Sequence, residues 1–463
     1  MTKLWGSRFK KSTDRLADKF SFSIDYDERL AKYDVIGSIA HAKMLGKQKI
    51  ISRADTSRIV AGLQKILKQI EKDAFKFDPK AEDIHTNIQT VLKKQIGEAA
   101  DKLHTARSRN DLIVLDVKMY CFDELAVIIG LITRLQKSIL QFADKNKKII
   151  IPAYTHMQAA QVVLLAHHML AYIEMLERDK ARLIGTGKGM DTMPLGSCAL
   201  SGTSLPTDRN FVTKELDFFV TSQNSIDSVS DRDFIVEFLA SLAILGMHFS
   251  RMAEDLILWS TNEFKFINID WSFCTGSSIM PHKKNPDVLE LIRGESARLI
   301  SNLNQILILL KGLPLTYNRD MQLDKPPLFE SFDKVEMILK LLAKLFTSLK
   351  VNETVLAMRV YDESFFSVDL VEYLIDKGVS YRDAHDSVGK IFRDCFKNKT
   401  LIADFSMDEL KKYHSKFDLD IKKLLNPEMS VKIKQSFGST NPKLVKEQLK
   451  KWKARVKQQS VKG

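Results

Sequence analysis

Three proline-free stretches constrain this chain more than any other feature of its 463 residues. No proline occurs from Lys80 to Ile151, from Thr207 to Met280, or from Leu328 to Asn426. Because proline breaks helix interiors, these gaps leave room for unusually long helices. The apolar spacing agrees. Phe238, Leu242, Leu245, Phe249, Met252, Leu256 and Trp259 step alternately by four and three residues, and Leu289, Ile292, Ser296, Leu299, Leu303, Ile306 and Leu310 repeat the pattern with one polar interruption. That alternation is the seam of nearly parallel packed helices. Two such seams predict a helical bundle extending across subunits. No sustained apolar–polar alternation argues for a substantial sheet. The expected class is all-α, in three helical domains: 1–106, a central long-helix bundle over 107–355, and 356–463. Turn signals near Asp78-Pro79, Gly97, Gly378, Asn426-Pro427 and Gly438 punctuate the outer two.

Composition excludes several function classes. Apolar residues make up 44% and charged residues 28%, which is ordinary for a globular chain. Among the uncharged runs, Leu125 to Thr133 and Phe238 to Ser250 fall short of the ~18 residues of a membrane span. Ile149 to Ile173 is long enough but carries Pro152, three histidines and two glutamines and is too polar for lipid, so no membrane partner is expected. The four cysteines fit neither a zinc motif nor a disulfide framework, which suggests reduced thiols in the cytoplasm. The net charge of +13 admits anionic partners, nucleic acid among them. Its one local concentration is the tail from Asn441. There Val445, Leu449, Trp452 and Val456 fall at helical spacing, so the tail reads as a Lys-coated amphipathic helix with a solvated face rather than a nucleic-acid surface.

The most informative segment runs from Gly276 to Asp287, GSSIMPHKKNPD. A small-residue loop leads into a heptad-patterned helix, with Asn285 as candidate N-cap, Pro286 at the first helical position and Asp287 in the first turn. Two hydroxyls and two lysines beside a helix N-terminus make an anion site plausible on physical grounds. A capped helix behind a polar loop explains Asn-Pro-Asp equally well, but not the Gly-Ser-Ser start.

This segment resembles the GSSxMPxKxN signature of the fumarase/aspartase superfamily. LWGSRF at 4–9, LHTARSRND at 103–111, YTHMQ at 154–158, NSIDSVSDRDF at 224–234 and LPLTYNRDMQLDKPPLFE at 313–330 extend the likeness along the chain. Together they resemble the argininosuccinate lyases. The resemblance implies a cofactor-free, metal-free homotetramer, with each site built from three subunits, acting in arginine biosynthesis. It further implies β-elimination of argininosuccinate to arginine and fumarate, with Ser277 as base. An alcohol is a poor base, so its alkoxide needs stabilising, and Lys283 and the helix N-terminus are the available positive charges. His156 is the implied acid or organiser, paired with Glu290. The implied substrate-binding groups are Ser23, Asn110, Thr155, Asn285, Tyr317, Gln322 and Lys325, with Arg109 and Arg232 in matched motifs. An intramolecular ion network is the alternative for Arg107, Arg109 and Asp111.

Several positions depart from the family pattern. His282 replaces a usual glutamine, as adenylosuccinate lyases commonly do, and this makes that activity the rival enzyme reading. Leu112, Gln89, Ala159, Leu323 and Pro326 also differ, which bears on substrate geometry more than on reaction type. A non-catalytic crystallin-like role is the rival from another class, and retention of Ser277, His156, Lys283 and Glu290 argues against it.

Overall fold

The computed structural model describes residues 13–462, with side chains to 459. The LWGSRF segment at 4–9 lies outside the described residues. The fold is all-α. Its longest helix, Arg109–Lys145, occupies 37 residues of the first proline-free stretch. Asp233–Ser260 fills the second, while Lys325–Ser348 opens with Pro326-Pro327 in its first turn and runs into the third.

The chain divides into two compact units. The first holds the described residues up to Ile129 with Asp179–Gly246 and Ser296–Glu336; the second holds Gly130–Arg178, Met247–Glu295 and the chain from Met337 onward. In the first unit the helices Ala31–Lys47, Arg53–Ile70 and Ile84–Ile96 pack around a core that includes Val35, Leu45, Leu63, Leu92 and Leu115. Ser52 and Asp83 cap two of these helices through their side chains, and Gly97 ends the third at a φ of 70°. In the second unit a hairpin pairs β1 (Ile150–Thr155) with β2 (Gln158–Leu164), antiparallel from Ile150↔Leu164 to Thr155↔Gln158. A separate core, including Leu370, Ile391, Leu410 and Phe417, lies wholly within the last hundred or so residues.

The first heptad seam is buried, and the second is buried except at Leu303 and Leu310, which are half-buried. Phe238, Leu242, Leu245 and Phe249 are fully buried, as are Leu289, Leu299 and Ile306. On the Asp287–Leu310 helix, Leu291, Ile300, Leu307 and Ile308 are exposed, Ile300 and Leu307 on one face.

Hydropathy qualifies one expectation. Asp233–Ser260 carries a window long and apolar enough to cross a membrane, with mean hydropathy 1.5, because such a window tolerates the few charges that interrupt its uncharged run. Its seam residues are core, and 61% of the window is buried inside the protein, as in a central helix of a globular fold. The tail forms the helix Pro442–Lys462, with Val445, Leu449, Trp452 and Val456 buried as the spacing predicts.

Candidate functional site

The segment LHTARSRND turns into the long Arg109–Lys145 helix through a reciprocal cap. Ser108 Oγ accepts from Asn110 N at 3.2 Å, and Asp111 Oδ1 accepts from Ser108 N at 3.1 Å. Asp111 is also tied to the first unit's 196–198 loop, its other oxygen accepting from Gly196 N (2.9 Å) and Cys198 N (2.8 Å). These bonds hold Arg109 and Asn110 in the first turn, facing a cavity of about 270 Å³ in the first unit.

That cavity gathers five of the implied binding residues, Ser23, Asn110, Tyr317, Gln322 and Lys325, although they come from three distant parts of the chain. Each is fixed by its own partner or by burial. Asn110 Nδ2 donates to Ala199 O at 3.1 Å and Gln322 Nε2 to Ser21 O at 3.0 Å. Burial raises the Tyr317 phenol. Arg109 also lines the cavity, but its guanidinium sits between Glu82 (3.1 Å) and Asp83 (3.0 Å), so the ion-network reading describes it. Arg107 instead donates to Ser38 Oγ at 2.7 Å.

Lys325 and Arg232 share one buried carboxylate. Asp324 accepts from Lys325 Nζ at 2.9 Å and from Arg232 Nε at 2.5 Å, and all three side chains are at least 96% buried. Burial alone would raise the Asp324 carboxyl, yet the two cations hold it below its usual range. Removing one member of such a group leaves buried charge uncompensated. Asp324→Asn is therefore expected to cost about 3–5 kcal/mol of stability, read as a lower midpoint in urea unfolding.

Sequence reasoning missed Asp27. It lines the same cavity, 2% exposed, with Ser23 Oγ donating to its Oδ2 at 2.5 Å and its Oδ1 without a partner. Burial pushes its carboxyl up to about 6 against the Ser23 hydrogen bond. The only signal was its place one helical turn after Ser23.

The remaining predicted residues lie in the second unit. His156 and Met157 form the two-residue tip of the β1–β2 hairpin at φ values of 52° and 60°. Left-handed backbone at two adjacent non-glycine residues is costly, and it aims an exposed imidazole outward from a rigid ribbon. Thr155 lies beside it at the end of β1. The Gly276–Lys284 loop is pinched at its base by paired bonds between Thr275 and Asn285, 3.1 and 2.8 Å. Inside it Ser277 Oγ accepts from Met280 N (3.0 Å) and Ile279 N (3.3 Å). Asn285 does not cap the following helix; its side chain donates to Gly276 O at 3.4 Å and its backbone closes the loop. Lys284 is held by Asn268 at 2.8 Å and by the Ile269 carbonyl. Among the described residues Lys283 Nζ makes no hydrogen bond or ion pair, and none joins His156 to the exposed Glu290. The structure therefore groups the implied residues in three places: the cavity, the hairpin tip, and the loop together with the first turn of the Asp287–Leu310 helix, which carries Glu290.

Comparison with known proteins adds relatives to this geometry. A family described as Lyase matches residues 7–301, and one described as Argininosuccinate lyase C-terminal matches 366–432. Argininosuccinate lyase of Geotalea daltonii is 48% identical over 98% of this chain and 99% of its own. That of Geobacter metallireducens is 47% identical over 98% and 99%. Among solved structures, EDDS lyase with formate aligns with a TM-score of 0.84 at 25% identity, covering 96% of this chain and 90% of that one. A class II fumarase from Schistosoma mansoni aligns at 0.75 and 15% identity, covering 91% and 94%, a likeness of fold alone.

Proposed function

The chain belongs to the argininosuccinate lyases of the fumarase/aspartase superfamily and splits argininosuccinate into arginine and fumarate; from that premise we propose how its residues divide the work. Convergence of Ser23, Asn110, Tyr317, Gln322 and Lys325 on one cavity carries the reading. The substrate has three carboxylates and a guanidinium, and these side chains present neutral and cationic donors already held in place. Preorganised donors lose little entropy on binding. Thr155 and Asn285 complete the set from the hairpin and the loop.

Ser277 removes the carbon-bound proton of the succinyl moiety. Its Oγ accepts two loop N–H groups, an arrangement that stabilises an alkoxide as an oxyanion hole does, and the sequence did not reveal it. Lys283, with no protein partner among the described residues, offers its charge to that alkoxide or to the aci-carboxylate formed when the proton leaves. The C–N bond then breaks and its electron pair goes to the guanidino nitrogen, which receives a proton as arginine departs. His156 supplies or organises that proton, with Glu290 as the carboxylate that partners it. One proton leaves carbon and one reaches nitrogen, so the elimination is balanced without a cofactor.

The working protein is a cytoplasmic homotetramer whose sites draw on three chains. Exposed Ile300 and Leu307, seven residues apart on one face of the Asp287–Leu310 helix, support burial against other copies, and the lack of a His156–Glu290 bond among the described residues supports their meeting between chains. The four free cysteines suit a reducing compartment. We retain the three-domain division at 106 and 355, supported by the self-contained core between Leu370 and Ile421.

Following fumarate absorbance with argininosuccinate and, separately, adenylosuccinate tests the assignment. Turnover of the first alone is expected. Turnover of adenylosuccinate alone would give the activity to the rival that His282 favours, and turnover of neither would revive the crystallin-like reading.

A further inference from the structure

We propose that Arg209 is a positioning residue for substrate binding, its guanidinium holding the 193–199 loop in the shape that orients Asn110. The inference rests on Asn110 binding substrate, as proposed above. Arg209 opens the short helix Arg209–Glu215 in the first unit. All three of its guanidinium nitrogens go to oxygens in and around the loop. Nε donates to Leu195 O and Nη1 to Ser222 O, each at 3.0 Å. Nη2 is shared among Pro194 O (3.2 Å), Ser197 Oγ (3.2 Å), Met193 O (3.4 Å) and Ser222 Oγ (2.6 Å). Among the described residues Arg209 forms no ion pair. The loop therefore uses the planar fork of donors, which no other side chain supplies.

The loop passes this constraint to the cavity by two routes. Its Gly196 and Cys198 N–H groups bind Asp111, which fixes the first turn of the Arg109–Lys145 helix. Its Ala199 carbonyl accepts from Asn110 Nδ2 at 3.1 Å, which sets the amide's rotation and keeps the second Nδ2 hydrogen and Oδ1 for a ligand. Close packing joins the loop to Arg209 as well. Gly196 has a φ of 92°, and a Cβ there would lie 2.8 Å from Arg209 Cγ, so only glycine lets the arginine stem pass. Arg209 itself does not line the cavity, and its influence on substrate must run through the loop. A donor aimed before substrate arrives loses less entropy on binding, so loosening the loop weakens capture.

Fumarate release against argininosuccinate concentration is measured for full-length Arg209→Lys, Asn110→Ala and the double variant. Lysine keeps the charge without the fork. Arg209→Lys should raise KM about tenfold, as loss of one hydrogen bond to a charged group does, with kcat within about twofold of wild type. In the Asn110→Ala background the same change should add little, because the group it positions is gone. Thiol labelling read by mass spectrometry should quicken at Cys198, in the loop, and stay at the wild-type rate at Cys274, in the second unit. Should Arg209→Lys not fold, Ser222→Ala removes the 2.6 Å acceptor alone and should still raise KM about twofold or more. A lower kcat at wild-type KM, or equal quickening at both cysteines, would mark a merely structural arginine and overturn the proposal. So would effects that multiply in the double variant. Wild-type KM in the Arg209 or Ser222 variant, with a raised KM in Asn110→Ala, would overturn the positioning role and leave Asn110 in place. Wild-type KM in Asn110→Ala would remove both.

Discussion

Ser277→Ala is expected to lower turnover of argininosuccinate by about 10³–10⁴-fold, the upper range for removing a general base, while helix content and assembly stay as in wild type. The loop explains why the two effects separate. Ser277 Oγ accepts from the backbone of Ile279 and Met280 on an exposed segment, and water can take over both donors, so the folding cost should be within about 0.5 kcal/mol. Ser278→Ala is the control, because Ser278 is exposed and makes no hydrogen bond among the described residues. It should retain most activity. Steady-state fumarate release from both variants, alongside circular dichroism, decides the matter. If Ser277→Ala keeps more than a few per cent of wild-type turnover, Ser277 is not the base.

The second large effect is a recovery. His156→Ala and Ser277→Ala should each be inactive alone. Unfolded and refolded together, they should regain roughly a quarter of wild-type activity if the two residues reach a site from different chains of a symmetric tetramer. A site then needs His156 from a Ser277→Ala chain and Ser277 from a His156→Ala chain, each present half the time. If both residues came from one chain, no assembly of these variants could restore a site. The geometry motivates the experiment, since a hairpin tip and a pinched loop carry groups that no hydrogen bond joins among the described residues. Mass spectrometry of differently labelled variants would establish mixing. Hybrid tetramers without activity would refute the shared site.

Much of this was legible before any coordinates. The proline gaps and the 3–4 spacing determined long helices and the all-α class, because helix continuity depends on local backbone chemistry that each residue carries with it. The tail's buried face was readable for the same reason. The motifs around Ser277, His156 and Lys325 identified the family, since they are contiguous strings whose meaning does not depend on where the chain later brings them.

What only the tertiary structure decided is who faces whom. Asp324 looks like any acidic residue in sequence, and its neutralisation of both Lys325 and Arg232 depends on a partner 92 positions away. Asn285 has the preference of an N-cap but spends its backbone pinching the 276–284 loop, because the bridge to Thr275 competes for it. The heptad seams signal packing without saying against what. Asp27 and Asp116 carry no motif at all. Each is buried with at least one carboxylate oxygen that has no hydrogen-bond partner, a property that exists only once the surrounding helices exclude water.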